Sequence, residues 1–210
     1  AAPRARRLPA VFDGDLAPPE ALVELAPLAS HAIFSERGLA SVAVGDSPQA
    51  QLADFAARHG RADALLGVTL GAAGFVWISE GRLWRLGVPR VEVIDTLAAG
   101  DVFHGAYAYA LACGMDAHTC ARFATATAAL KCTRFGGRSG TPAHAEVDAQ
   151  LAVWNEAPQA LPGDSLQRGT RGNDAFIARD RNGKLGPDPV QPAFAQSVGD
   201  VEAERVVAAL

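Results

Sequence analysis

Residues 64–69, Ala-Leu-Leu-Gly-Val-Thr, are apolar or small at nearly every position. A strand with that pattern has no face to turn to water. It belongs inside a sheet that helices cover on both sides. The flanking sequence supplies the helices. Residues 48–59 carry Leu52, Phe55 and Ala56 on one face and stop at Gly60. Pro18-Pro19-Glu20 opens an earlier helix, with Leu22, Leu25 and Leu28 at helical spacing. Residues 10–12 and 31–34 are further short apolar runs that read as strands. Residues 75–79 and 83–86 flank Glu80-Gly81, a hairpin signal, and residues 88–94 read as another strand. Ala-rich helices follow at about 102–113 and 117–131. A Gly- and Arg-rich loop over 133–140 leads to a last helix from Pro142 to about Trp154. Strands alternating with helices imply an α/β fold with a mostly parallel sheet, the hairpin being its one antiparallel insertion.

Composition narrows the function classes. Of the 210 residues, 49% are hydrophobic, enough for a packed core. A net charge of −4 argues against a nucleic-acid binder. The longest apolar stretch, 64–78, is too short for a bilayer and is interrupted by Gly67, Thr69, Gly71 and Gly74, so no membrane partner is expected. Cys113, Cys120 and Cys132 lack metal-ligand spacing and read as reduced, buried thiols of a cytoplasmic protein. After Trp154 the composition shifts to Pro158, Pro162, Pro187, Pro189 and Pro192 with several glycines. The chain therefore reads as one α/β domain over 1–154 and a Pro/Gly-rich, partly disordered tail over 155–210. Asp180-Arg181-Asn182-Gly183 is a turn rather than a calcium loop, because Ala178 and Pro189 stand where ligands belong.

The segment that carries chemistry is Val93-Ile94-Asp95-Thr96-Leu97-Ala98-Ala99-Gly100-Asp101-Val102-Phe103-His104-Gly105-Ala106. A hydrophobic run enters a small-residue turn and then a helix starting near Ala99. Such a helix start leaves backbone N–H groups open to an anion. Asp101, in the first turn, is either a helix-start acid favoured by the dipole or a general base beside a phosphoryl group. Position alone leaves both open. A dinucleotide-binding domain is excluded, because no GxGxxG follows the first strand.

This segment resembles the D-T-x-G-A-G-D-x-F-x-G-A signature of the ribokinase/PfkB carbohydrate kinases, with Ala98 in place of the first glycine. Val68-Thr69-Leu70-Gly71-Ala72-Ala73-Gly74 resembles the family's V-T-x-G-x-x-G turn at the nucleotide site. Residues 131–142 resemble its closing nucleotide and cation loop. Three segments are similar to the bacterial 6-deoxy-6-sulfofructose kinase branch: residues 11–15, 28–36 and 129–134. The resemblance implies a ribokinase-like three-layer α/β/α fold. It extends over about residues 11–154, the C-terminal part of a carbohydrate kinase domain. Nothing here corresponds to the family's N-terminal half with its lid, and the chain begins at Ala1, so a truncated enzyme is expected.

The resemblance also implies roles. Asp101 would take the proton from a sugar hydroxyl attacking the γ-phosphate of ATP. The N–H groups of Ala98, Ala99 and Gly100 would form the anion hole. Thr69, Gly71, Gly74, Arg134 and Gly137 would border the nucleotide. Carbonyls of Asp95, Leu97, Lys131, Arg134 and Gly136, with Gly140 nearby, would hold a monovalent cation, K+. Mg2+ would accompany ATP, with Glu36 reaching it through water. The family's N-x-x-E element falls at Ser35-Glu36-Arg37-Gly38, so its Asn and its Glu are both replaced. The sugar is the other partner, and a full-length form would be a homodimer. The alternative is a nucleotide-binding remnant without turnover. Ala98 favours it: if the turn needs φ > 0 at this position, its Cβ costs about 1–2 kcal/mol. His104 reads as packing at the helix start, and Trp77 and Trp84 as packing across the hairpin. Asp13 and Asp15 end a strand, and Arg138 accompanies Arg134 as a second candidate for phosphate.

Overall fold

The computed structural model describes residues 8–168 and 176–178, with side chains as far as Leu161. Two compact units share these residues. One takes 8–68, 76–85 and the strands from Gln159 on. The other takes 69–75 and 86–158.

The first unit holds a seven-stranded sheet in chain order: β1 (Val11–Gly14), β2 (His31–Ser35), β3 (Leu65–Thr69), β4 (Phe75–Ser79), β5 (Arg82–Leu86), β6 (Gln159–Arg168) and β7 (Phe176–Ala178). β1 and β2 run parallel, Val11 opposite His31 and Gly14 opposite Phe34. β3 is buried at all five positions, as its unbroken apolar run demands. Glu80 and Gly81 join β4 to β5 with φ of 53° and 72°. Two left-handed residues are what a tight two-residue hairpin turn needs. Trp77 and Trp84 stack with ring centroids 6.4 Å apart. Helices α1 (Pro19–Leu25), α2 (Glu36–Ala40) and α3 (Pro48–His59) complete this unit. Phe34 meets Phe55 edge-on at 4.9 Å, with Leu22, Leu39 and Leu52 also buried.

Several expectations are corrected here. Leu25 and Leu28 are exposed, because α1 stops at Leu25 and a 3-10 turn, Ala26–Leu28, rotates Ala26 inward instead. The hairpin is not the only antiparallel element: β6 pairs antiparallel with β5, and β7 with β6. Residues 159–168 therefore form a strand inside the segment read as a tail. Pro162 and Gly163 hid it. They fall where the β5–β6 register shifts, between Ala160 opposite Trp84 and Ser165 opposite Arg82. An irregularity of that kind tolerates a residue without an N–H. Apart from residues 155–158 and β7, the rest of the tail reading lies outside the described residues, as does the turn at Asp180.

The second unit is built on α4 (Ala99–Ala112), α5 (Ala117–Cys132) and α6 (His144–Val153). Ala106 and Ala110 of α4 and Ala121, Ala124 and Ala128 of α5 are buried, so small residues bring the helices close. Phe75, Phe103 and Tyr107 form an aromatic cluster, Phe75 lying 5.1 Å from Phe103. Residues 88–94 are not a strand. Pro89 removes a donor, and the N–H groups of Ile94 and Asp95 both go to the Cys132 carbonyl at the end of α5. Cys120 and Cys132 are buried, and burial pushes both thiols up, Cys120 to about 11. Cys113 is exposed, contrary to expectation. Among the described residues no helix is long and apolar enough to cross a membrane.

Candidate functional site

The start of α4 is shaped by the four residues before it. The Ala99 N–H donates to the Thr96 carbonyl at 3.1 Å, closing a turn whose third residue is Ala98. Ala98 is left-handed, with φ 61° and ψ 20°, the region that turns of this kind give to glycine. The signature's glycine position is thus a backbone requirement, and here a methyl group meets it under strain. Of the three N–H groups read as an anion hole, Ala99's is consumed by the turn. Among the described residues, Ala98 and Gly100 make no backbone hydrogen bond through theirs. These two N–H groups, with that of Asp101 behind them, sit at the positive end of a 14-residue helix. The Asp101 side chain is exposed at the third position of α4. His104 is buried, its ring within 2.9 Å of the Gly100 carbonyl and edge-on to Phe103, so it packs at the helix start.

Asp95 ties this turn to the closing loop. One carboxylate oxygen accepts the Leu97 N–H at 3.0 Å and the other the Gly136 N–H at 2.7 Å. Those two donors, with the Lys131 ammonium beside them, hold the carboxyl below its usual range. Gly136 has φ 93°, and a Cβ there would stand 2.4 Å from Ser139 Oγ. The sequence reading used Asp95 only through its carbonyl. Its latch role was missed, although an Asp one residue before a turn is the usual signal for such side-chain capping. Gly137 lies close by: a Cβ on it would sit 3.3 Å from the Ala98 methyl.

The Thr69–Gly74 turn closes on itself. Leu70 donates to the Gly74 carbonyl at 2.8 Å and Gly74 to that of Gly71 at 3.0 Å. Gly71 and Gly74 have φ of 58° and 96°, and a Cβ at Gly74 would lie 2.0 Å from the Leu86 carbonyl oxygen. Thr69 is buried. The second unit therefore contains every residue read as nucleotide, anion-hole or cation ligand.

Three side chains depart from the reading. The Arg134 guanidinium is engaged by Glu146 through both of its terminal nitrogens, so it is committed to an ion pair rather than left to a phosphate. Glu146 also accepts the Ala143 N–H at the start of α6, and the arginine and this donor hold its carboxyl low. Lys131, expected to offer a carbonyl, is fully buried, and its ammonium donates to the Asp95 carbonyl at 2.8 Å. The Lys131 carbonyl instead accepts the Arg134 N–H at 3.1 Å. A cation of the chain itself thus stands on the Asp95 carbonyl, one of those read as a cation ligand. Glu36 belongs to the first unit, exposed at the start of α2. Ser35 caps that helix, accepting the Gly38 N–H and donating to Asp15. A Cβ at Gly38 would lie 1.9 Å from the Gly14 carbonyl oxygen, so no acid fits where the family's N-x-x-E places one. Among the described residues no group of three His, Cys, Asp or Glu side chains gathers as a metal site.

The pfkB family carbohydrate kinase model matches residues 5–144. A ribokinase of Lactococcus lactis is 33% identical over 84 residues, 40% of this chain and 28% of that protein. A solved structure from Agrobacterium tumefaciens, provisionally named a ribokinase, is 39% identical with a TM-score of 0.68. The match spans 72% of this chain and 49% of that one. A second, from Escherichia coli, provisionally named a ribokinase II and in complex with ATP and Mg2+, is 25% identical with a TM-score of 0.61 and spans 71% and 50%. The chain thus spans about half the length of these solved relatives, and its α/β fold is ribokinase-like.

Proposed function

Since the chain belongs to the pfkB family of carbohydrate kinases, we propose that it binds MgATP at the start of α4 and passes the γ-phosphoryl group to a sugar hydroxyl. The observation that carries this reading is the pair of unspent N–H groups, Ala98 and Gly100, at the N-terminus of a long helix beside the exposed Asp101. Those donors would stabilise charge on the moving phosphoryl group. Asp101 takes the hydroxyl proton as the oxygen bonds to phosphorus and the bond to the leaving ADP oxygen breaks. Magnesium accompanies ATP and offsets the charge of its phosphates. The Thr69–Gly74 turn borders the nucleotide, its two left-handed glycines leaving backbone exposed for a close approach.

The acceptor put to test first is 6-deoxy-6-sulfofructose, on the resemblance of residues 11–15, 28–36 and 129–134 to that branch of the family. Ala98 favours a second reading, nucleotide binding without turnover. ADP release is measured with MgATP and a panel of ribose, fructose, fructose 1-phosphate and 6-deoxy-6-sulfofructose. Turnover with one sugar, lost in Asp101→Asn while MgATP binding persists, is the expected result. Binding without turnover for every sugar leaves the second reading. Full turnover in Asp101→Asn removes the base assignment.

A further inference from the structure

Lys131 is a charged side chain with no exposure to solvent, placed in the last turn of α5. Burial of an ammonium is unfavourable unless its charge is met. Its surroundings meet it on one side. The Nζ donates to the Asp95 carbonyl at 2.8 Å and lies 3.8 Å from the Asp95 carboxylate. The C-terminal carbonyl end of α5 adds negative potential. The stem runs past the closing loop: Lys131 Cε and the Arg134 carbonyl oxygen are each 3.4 Å from where a Cβ on Gly140 would stand. So the ammonium stands on the carbonyl of Asp95, one of the residues the family resemblance assigns to a potassium ion, and its stem passes beside Gly140, another. Potassium and ammonium are nearly the same size.

We infer that Lys131 is a tethered substitute for that ion, so that this chain supplies its own monovalent charge and has no use for potassium. The inference rests on the kinase reading for the purpose of the charge, though not for its position. The ammonium pulls on the Asp95 carbonyl, and the Asp95 carboxylate holds the Leu97 and Gly136 N–H groups. Through this one residue the ammonium fixes both the turn before α4 and the closing loop. A free cation on the Asp95 carbonyl would meet a like charge at contact distance. A methyl group at Gly140 would come into van der Waals contact with the lysine stem.

The test compares the full chain in potassium chloride and choline chloride at one ionic strength, by thermal unfolding and by MgATP titration calorimetry. The wild type is expected to unfold at the same temperature and bind MgATP equally in both salts. Lys131→Ala empties the place beside Asp95. It is expected to bind MgATP about tenfold more weakly in choline chloride and to recover in potassium or ethylammonium chloride. Its unfolding temperature rises with the same two cations. Lys131→Met refills the space without charge and recovers in neither. A wild type whose unfolding temperature or MgATP affinity rises specifically with potassium overturns the inference. So does a Lys131→Ala variant that binds MgATP at full strength in choline chloride. If neither variant folds, the wild-type comparison still decides. A wild type that binds no MgATP in any salt defeats the kinase reading instead. The unfolding temperatures of the wild type and Lys131→Ala then still report whether the lysine fills a cation site.

Discussion

Ala98 and Asp95 stand three residues apart and act on the same turn in opposite senses. Ala98 keeps a methyl group at φ 61°, where the left-handed conformation costs about 1–2 kcal/mol for a residue with a Cβ. Glycine would remove that strain and give back about 0.4–1 kcal/mol through the freedom of its unfolded chain. Ala98→Gly is therefore expected to stabilise by roughly 0.5–1 kcal/mol, about 1–3 °C in Tm for a chain of this size. A drop in Tm on thermal unfolding would contradict it. Gly137→Ala brings a new methyl to 3.3 Å from that of Ala98, so its cost should shrink in the Ala98→Gly background by about 0.5 kcal/mol. Strict additivity in a double-mutant cycle would show that the two residues do not touch. Asp95 works the other way. Its folded carboxyl is held below the unfolded value of about 3.9, so its contribution is complete above that pH and is lost as pH falls through the lowered folded value. Urea unfolding from pH 6 to pH 2 should show the wild type steeper than Asp95→Asn across that acid window and parallel to it above. Parallel curves throughout would argue that the latch carries no differential charge.

Local chemistry explains most element boundaries. Asp116 begins α5 by accepting the N–H groups of His118 and Thr119 and the Thr119 hydroxyl. Asp116→Ala should cost about 1 kcal/mol and Asp116→Asn only a fraction of that, measured by denaturant unfolding. Equal losses would show that charge on the helix dipole, not the acceptor geometry, is what matters. Such signals are local, and they were legible: the Glu80-Gly81 turn, the α3 stop at Gly60 and the start of α4 all follow from neighbouring residues. Two elements were not legible, and for non-local reasons. Residues 88–94 have the alternation of a strand, but their last N–H groups are claimed by the end of α5, some forty residues later. β6 contains Pro162 and Gly163, and only the pairing with β5 reveals that its irregularity absorbs them.

In the whole molecule the same division separates what the motifs disclosed from what they did not. Glycines of the V-T-x-G-x-x-G turn and of the closing loop stand where backbone requires them. Gly71, Gly74 and Gly136 all have positive φ. Side-chain partners across the second unit were invisible, since nothing in the order of residues links Arg134 to Glu146 or Lys131 to Asp95. The Arg134–Glu146 pair takes up a charge that the closing loop offered to a phosphate, and the α4 start keeps its backbone donors and the exposed Asp101. A ligand held by backbone donors should bind without side-chain help, and that is testable by linkage. A molecule that binds only the folded state stabilises it by about 2.7 kcal/mol at a hundred times its Kd, worth roughly 5–10 °C at this chain length. Saturating MgATP should therefore raise the wild-type Tm by that amount. Asp101→Asn should show an equal or larger rise, because it removes a negative charge from the side of α4 where the proposed nucleotide phosphates would lie. Inorganic phosphate at the same concentration should shift Tm far less, lacking the contacts of the Thr69–Gly74 turn with the nucleotide. Equal shifts with phosphate and MgATP would reduce the α4 start to a plain anion site. A rise abolished by Asp101→Asn would mean that the carboxylate, not the backbone, holds the nucleotide complex.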